Sequence, residues 1–243
     1  MLLCFLVVLS SCSQNNKTDL KENTVAVAVD GLASKAVQEI KDDVKEIKEF
    51  STLDGAVSSV ESKETDLVVM DEFSAAEYIE NKRKIEYEKQ LSYTSEYCAC
   101  FIKNNDLVND FNRVVFDLTE DGTIQEIKDS YKQGEEYYPT LTQLPADAPI
   151  ITIAVSIVGA PFCELTDTGA VVGIDIDIAT LVANRLGCNL EIMVVGVDEA
   201  FRLLENNDVD FIISGVMYEA ERTAYYDYSL TYFATNYYLL SRK

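Results

Sequence analysis

Two stretches of this chain, 144 residues apart, follow one pattern. Laid over each other without a gap, "LDGAVSSVESKETDLVVMD" from Leu53 and "VDEAFRLLENNDVDFIISG" from Val197 share Asp, Ala, Glu and Asp and keep the same spacing of apolar residues. Each reads as a helix followed by a buried strand, and a repeated helix–strand unit implies two similar lobes. Any helix–strand pair can converge on such a pattern at this identity, so the order of the surrounding segments has to carry the fold assignment further.

That order alternates strand-like and helix-like segments, the pattern of parallel sheets with crossover helices. From Ile150, "IITIAV" reads as a strand, Ile178, Leu181, Val182 and Leu186 fall at helical spacing, and Gly187 is a stop. "LEIMVV" is a second strand, and a helix around 200–204 precedes "VDFII", the third. An earlier unit opens with the strand "TVAVAV" at Thr24 and a helix over 33–40. Between the units, Leu107, Val108, Phe111, Val114, Val115 and Leu118 share one helical face, and Gly122 ends that helix before "TIQEIKDSY". The segment 135–149 holds Pro139, Pro145 and Pro149 and has no periodicity, which marks it as a linker. Fully extended it reaches about 50 Å, enough to cross a lobe.

Composition narrows the partners. Asp and Glu number 42 against 20 Lys and Arg, a formal charge of −22 that repels phosphate backbones and anionic headgroups, so nucleic acid is excluded as a partner. There is no histidine, which removes the commonest general base and metal ligand. No enzyme activity, cofactor or metal is expected. The six cysteines form no CxxC pair; Cys98, Cys100, Cys163 and Cys188 read as buried thiols, with room for one bridge in an exported protein. The N-terminus, "MLLCFLVVLSSCSQNNK", has an apolar run too short to span a bilayer, followed by a polar tether. It resembles a bacterial lipoprotein signal and tether over 1–17, in which Leu9-Ser10-Ser11-Cys12 is the lipobox and the Cys12 thiol is acylated. A basic leader is missing, and a buried strand or helix is the alternative.

Several of these segments together resemble the extracellular solute-binding proteins that feed polar amino acids to bacterial ABC importers. "APF" at 160–162, "GIDIDIATLVANRLG" from Gly173, "VDFIISG" with Glu221 and Arg222, and "DYSLTYF" from Asp227 resemble that family's first lobe. "TDLKENTVAVAVDG" from Thr18, "TDLVVMDEFSAAEYI" from Thr65 and "YCACFIKNNDLVNDFNRVV" from Tyr97 resemble its second lobe and closing helices. The resemblance implies an α/β, two-lobed periplasmic-binding-protein-like fold, each lobe a mostly parallel sheet flanked by helices. Residues 18–97 are then equivalent to the second lobe, 98–134 are the hinge strand and closing helices, 135–149 the linker, and 150–243 the first lobe. The lobes stand in reversed order, so the chain resembles a circular permutation or a piece of a tandem array. In that order only the crossing near 97–103 is expected to stay covalent, with the strand near 237–243 ending free.

Ligands of open parallel sheets collect beyond the carboxyl ends of the strands, where Asp71 and the loop 214–222 both fall. The resemblance implies that Arg222 grips an amino-acid carboxylate with two hydrogen bonds, helped by Ser214 and an N–H near Gly215, while Asp71 takes the ammonium. Phe162, Met217 and Gly159 fall in the implied side-chain pocket. Gly159 and Val197 stand where the family places aromatics, and Met217 and Glu219 where it places Ser and Thr. Ser156 replaces a position often acidic in binders of cationic side chains, which points away from Lys or Arg unless Glu219 restores the charge. Against these roles, a lone Arg after a strand is ordinarily a surface residue, and Asp after "VVM" is ordinarily a helix cap. The function implied is that of a monomeric, extracytoplasmic, lipid-anchored protein delivering a polar amino acid or similar small zwitterion to an ABC permease in the membrane. The alternatives on this fold are a small-carboxylate dehydratase and a sensory domain.

Overall fold

The structure, a computed structural model, describes residues 20–29, 33–159 and 161–243. The chain opens with β1 (Thr24–Ala28), every residue buried, and α1 (Ala33–Ala36), which tightens into a single 3-10 turn at Val37–Glu39. The helix expected over 33–40 is therefore one short turn. Next come β2 (Glu46–Phe50), α2 (Leu53–Glu61), β3 (Leu67–Asp71), α3 (Glu72–Glu80) and the long β4 (Ile85–Tyr97). Three residues later β5 (Cys100–Ile102) begins, followed by α4 (Leu107–Glu120) and α5 (Thr123–Lys132), separated by Gly122 at φ +87°, a left-handed position that glycine takes without strain. Irregular chain from 133 leads to β6 (Ile150–Val155), a two-residue hairpin β7 (Glu164–Leu165) and β8 (Val171–Val172), and α6 (Ile174–Arg185). The chain finishes with β9 (Asn189–Val194), α7 (Val197–Glu205), β10 (Phe211–Ile212), a 3-10 turn at Ala220–Arg222, β11 (Tyr226–Tyr228) and β12 (Phe233–Arg242).

Among the described residues ten of these strands form two five-stranded sheets, ordered β2-β1-β3-β12-β4 and β11-β5-β10-β6-β9, while β7 and β8 pair only with each other. Each sheet has three parallel strands next to one antiparallel strand that arrives from the other sheet: β12 beside β3 in the first, β5 beside β10 in the second. The placement of β12 corrects the sequence reading of the hinge. Residues 233–242 do not end free in the lobe that starts at 150. They continue covalently from β11 in the second sheet and form an interior strand of the first, with Leu239 and Leu240 fully buried opposite Val69 and Val68. Both crossings are thus covalent, and they hydrogen-bond to each other: Ser229 N donates to Ala99 O at 2.9 Å and Tyr232 N to Tyr97 O at 3.0 Å.

The likeness of the two lobes holds at single residues. Helices α2 and α7 start and stop in step at the offset of 144, and Asp66 matches Asp210. Asp66 Oδ2 accepts from Thr24 N (2.8 Å) while its own N donates to Thr24 O (2.9 Å); Asp210 repeats both bonds on Thr152, at 2.8 and 2.7 Å. Helices α4 and α5 pack on α6, burying Phe111, Val114, Val115, Leu118 and Ile127 in one core with Ile178, Leu181 and Val182. The linker lies along this lobe, where Asn184 bonds the backbone of Thr142 through both Oδ1 (2.9 Å) and Nδ2 (2.8 Å).

Candidate functional site

A cleft of about 810 Å³ opens between the lobes. One wall holds the carboxyl end of β3 and the first turns of α3. The opposite wall holds Gly215, Val158 and Phe162, and Tyr97, Thr235 and Tyr237 of the crossing strands form the back. Asp71 and Gly215 are equivalent at the offset of 144, so the two lobes present matching strand ends to the same space. Asp71 caps α3: Oδ1 accepts from Phe73 N (2.9 Å) and Ser74 N (3.0 Å), and Oδ2 from the Ser74 hydroxyl (2.6 Å). A carboxylate has about four acceptor positions, so one stays open on Oδ2, in the cleft wall.

The other residues singled out from sequence are distributed differently. Phe162 lines the cleft, its ring 4.3 Å from that of Tyr97. Gly215 lines it too, but its N–H is committed to Asp175 Oδ2 at 2.6 Å. Ser214 is buried, its hydroxyl donating to Ser156 O (2.6 Å) and accepting from Ser156 N (2.8 Å), which ties the end of β10 to the end of β6. Gly159, at φ +94°, makes the tight turn that closes on Cys163, and Met217 bridges Tyr97 and packs on the core. Arg222 is exposed, with Nε 2.7 Å from Glu219 Oε2 and its guanidinium 4.9 Å over the Phe201 ring. The structure therefore does not bring Arg222 and Asp71 together: Glu219 and Phe201 offer the guanidinium an ion pair and a ring face closer by. Cys12 lies outside the described residues.

Sequence reasoning missed most of the cleft's charge. Among the described residues the lining carries six carboxylates, Asp71, Glu77, Glu80, Glu135, Glu136 and Glu164, against one ammonium, Lys132. Lys132 is paired with Glu72 (3.0 Å), which also takes Lys128 (2.8 Å) and accepts from Asn236 N (3.3 Å). Burial opposes ionisation of Glu72, but the two lysines outweigh it and hold the carboxyl below its ordinary range. In the back wall Thr235 is 1% exposed, and among the described residues its hydroxyl has no hydrogen-bond partner.

Behind the cleft two carboxylates are buried with no cation paired to them among the described residues. Asp175, 0% exposed, accepts from Tyr232 Oη (2.7 Å) and Gly215 N; Asp177 accepts from Tyr131 Oη (2.8 Å). Burial pushes each up to about 7, against the lowering effect of those donors. Burial likewise raises the thiols of Cys98, Cys100 and Cys163 to about 12. Among the described residues no group of three Cys, Asp or Glu is arranged to hold a metal ion, and no helix is long and apolar enough to cross a membrane.

Comparison with known proteins gives matches of two kinds. Residues 151–243 match the family described as bacterial extracellular solute-binding proteins, family 3. A membrane-bound lytic murein transglycosylase F from Enterobacter sp. (strain 638) is 29% identical over 85 residues, and the chain spans 35% of its own length and only 16% of that relative's. Among solved structures, the second substrate binding domain of a putative amino acid ABC transporter from Streptococcus pneumoniae superposes with a TM-score of 0.51 over 91% of this chain and 85% of that one, at 10% identity, so the likeness is one of fold. The arginine-bound domain 1 of TmArgBP, the arginine-binding protein of T. maritima, is 30% identical over 39% of this chain and 80% of that one, with a TM-score of 0.34.

Proposed function

We propose that this chain, a member of the bacterial extracellular solute-binding proteins of family 3 through residues 151–243, captures a small ammonium-bearing solute between its lobes and passes it to an ABC importer. A polar amino acid or similar small zwitterion is the first candidate. The observation that carries this reading is Asp71: a helix-capping carboxylate in the cleft wall that keeps one acceptor position open, opposite the matching strand end of the other lobe. An ammonium bound there completes the carboxylate's hydrogen bonds, and closing the lobes removes water and strengthens the contact. Arg222 is the second proposed contact, reaching a ligand carboxylate once it leaves Glu219. In the same reading the chain is a circularly permuted monomer tethered by a lipid on Cys12. A reordered chain running 150–243 and then 18–134 is expected to fold and bind alike.

The test is thermal unfolding with each polar amino acid. A ligand at a hundred times its Kd stabilises the folded form by about 2.7 kcal/mol. Asp71→Ser keeps a capping oxygen for α3 and removes the charge, so the stabilisation should vanish; a variant that responds as fully as the parent refutes the assignment. Loss of the response in Arg222→Ala identifies Arg222 as the carboxylate's partner, and an undiminished response removes it from the site.

A further inference from the structure

The lobes are tied at a third place besides the two crossing strands. Glu72 opens α3, a helix that packs through Ala75 on the first sheet. Lys128 and Lys132 stand one turn apart on α5, whose Ile127 is buried with α6 in the other lobe. Their ion pairs with Glu72, at 2.8 and 3.0 Å, therefore cross from lobe to lobe. The same side chains hold β12 where it enters the first sheet. Asn236 N donates to Glu72 Oε1 at 3.3 Å, and Lys128 Nζ donates to Ala234 O at 3.0 Å. Lys128 also lies 5.6 Å over the ring of Phe233, which packs on that of Phe73 at 5.5 Å. Helix α3, helix α5 and the crossing strand thus meet at one carboxylate.

Burial makes this tie hard to part. The Glu72 side chain is 4% exposed, so a carboxylate drawn away from both lysines becomes a buried charge without a partner, far costlier than a broken surface pair. A movement of the lobes that keeps the cluster closed also keeps the first turn of α3, with Asp71 just before it, against α5. The two lysines are not equal: Lys128 is 21% exposed and bonded to the crossing strand, whereas Lys132 is 41% exposed and reaches Glu72 from the cleft side.

We infer that Glu72, Lys128 and Lys132 form a clasp that limits how far the lobes open, by keeping α3 and α5 in contact beside the crossing strands. The inference rests on the two-lobed fold and on no ligand, so it stands or falls apart from the solute-capture reading.

Small-angle X-ray scattering of the full, ligand-free chain tests it, with far-UV circular dichroism and urea unfolding as checks on the fold. A compact chain of this length has a radius of gyration of about 18 Å, and Glu72→Gln, which keeps the shape and removes the charge, is expected to raise the measured value by about 1 Å. Lys132→Gln leaves Lys128 on Glu72 and gives a smaller rise in the same direction. Lys128→Arg with Lys132→Arg keeps both charges and scatters as the parent does. A Glu72→Gln variant that unfolds cooperatively and scatters as the parent overturns the inference, as does an arginine pair that opens the lobes as widely as Glu72→Gln. Should Glu72→Gln lose its cooperative unfolding, Lys132→Gln decides alone, and scattering identical to the parent's then overturns the clasp.

Discussion

Asp175 connects the hinge to the cleft floor, and replacing it with Asn measures what its burial costs. The carboxyl is 0% exposed and pushed up to about 7, above the ordinary 3.8 of the unfolded chain. The folded protein therefore keeps a proton that the unfolded chain has already released, and the contribution of Asp175 to stability is greatest at low pH and falls as pH rises toward 7. Between pH 5 and pH 7 this amounts to two units at about 1.4 kcal/mol each, on the order of 3 kcal/mol, with little further change above. Asn cannot ionise, yet it fits the same partners: its Oδ1 accepts from Gly215 N, and its amide donates to a Tyr232 hydroxyl that turns to accept. Urea unfolding followed by far-UV circular dichroism at pH 5 and pH 8 is expected to show the variant gaining about 3 kcal/mol on the parent at the higher pH. Asp177 titrates in the same direction, so a smaller slope persists in the variant. Parallel stability curves for parent and variant across this range refute the reasoning.

Three further outcomes follow from the packing. Glu72→Gln removes the charge that Lys128 and Lys132 share and is expected to cost about 2 kcal/mol in chemical denaturation. Gly173→Ala places a methyl group 2.2 Å from Phe162 O at a φ of +133°, so it is expected to lower stability by more than about 2 kcal/mol and to disturb the ring of Phe162 in the cleft wall, read as a weaker ligand response. Peptide mapping after thiol labelling at pH 8 should find Cys188, partly exposed, modified first, while the buried thiols of Cys98, Cys100 and Cys163, raised to about 12, stay unmodified until the protein unfolds.

The lobes were legible in sequence because their determinants are local. The spacing of Ile178, Leu181, Val182 and Leu186 and the offset between Leu53 and Val197 mark helices and strands that form as read. Strand pairing is not local: nothing in "FATNYYLLSR" says that β12 leaves the sheet holding β11 and inserts between β3 and β4. The site divided in the same way. Asp71 could be found because a strand ends on it, and Phe162 by resemblance. Glu77, Glu80, Glu135 and Glu136 look like any solvated acid until the fold turns them toward one space. Asp175 had a signal, two carboxylates alternating with isoleucine in "IDIDIA" on a helix whose first turns are otherwise apolar, but its partners Tyr232 and Gly215 come from distant chain. Arg222 shows the converse, a residue whose sequence position fits a ligand clamp while nearby Glu219 and Phe201 hold it elsewhere.

The backbone bonds that lace residues 97–99 to 229–232 have a mechanical consequence. Two strands sewn edge to edge behave as a ribbon, which bends readily across its width but resists one edge sliding along the other, since sliding would tear the stitches at Ala99 and Tyr97. Such a joint leaves the halves little freedom besides a flapping motion about one axis. In the proposed capture, closure about that axis would bring Asp71 and Gly215 back into the same registration, so that a bound solute is gripped in the same orientation each time.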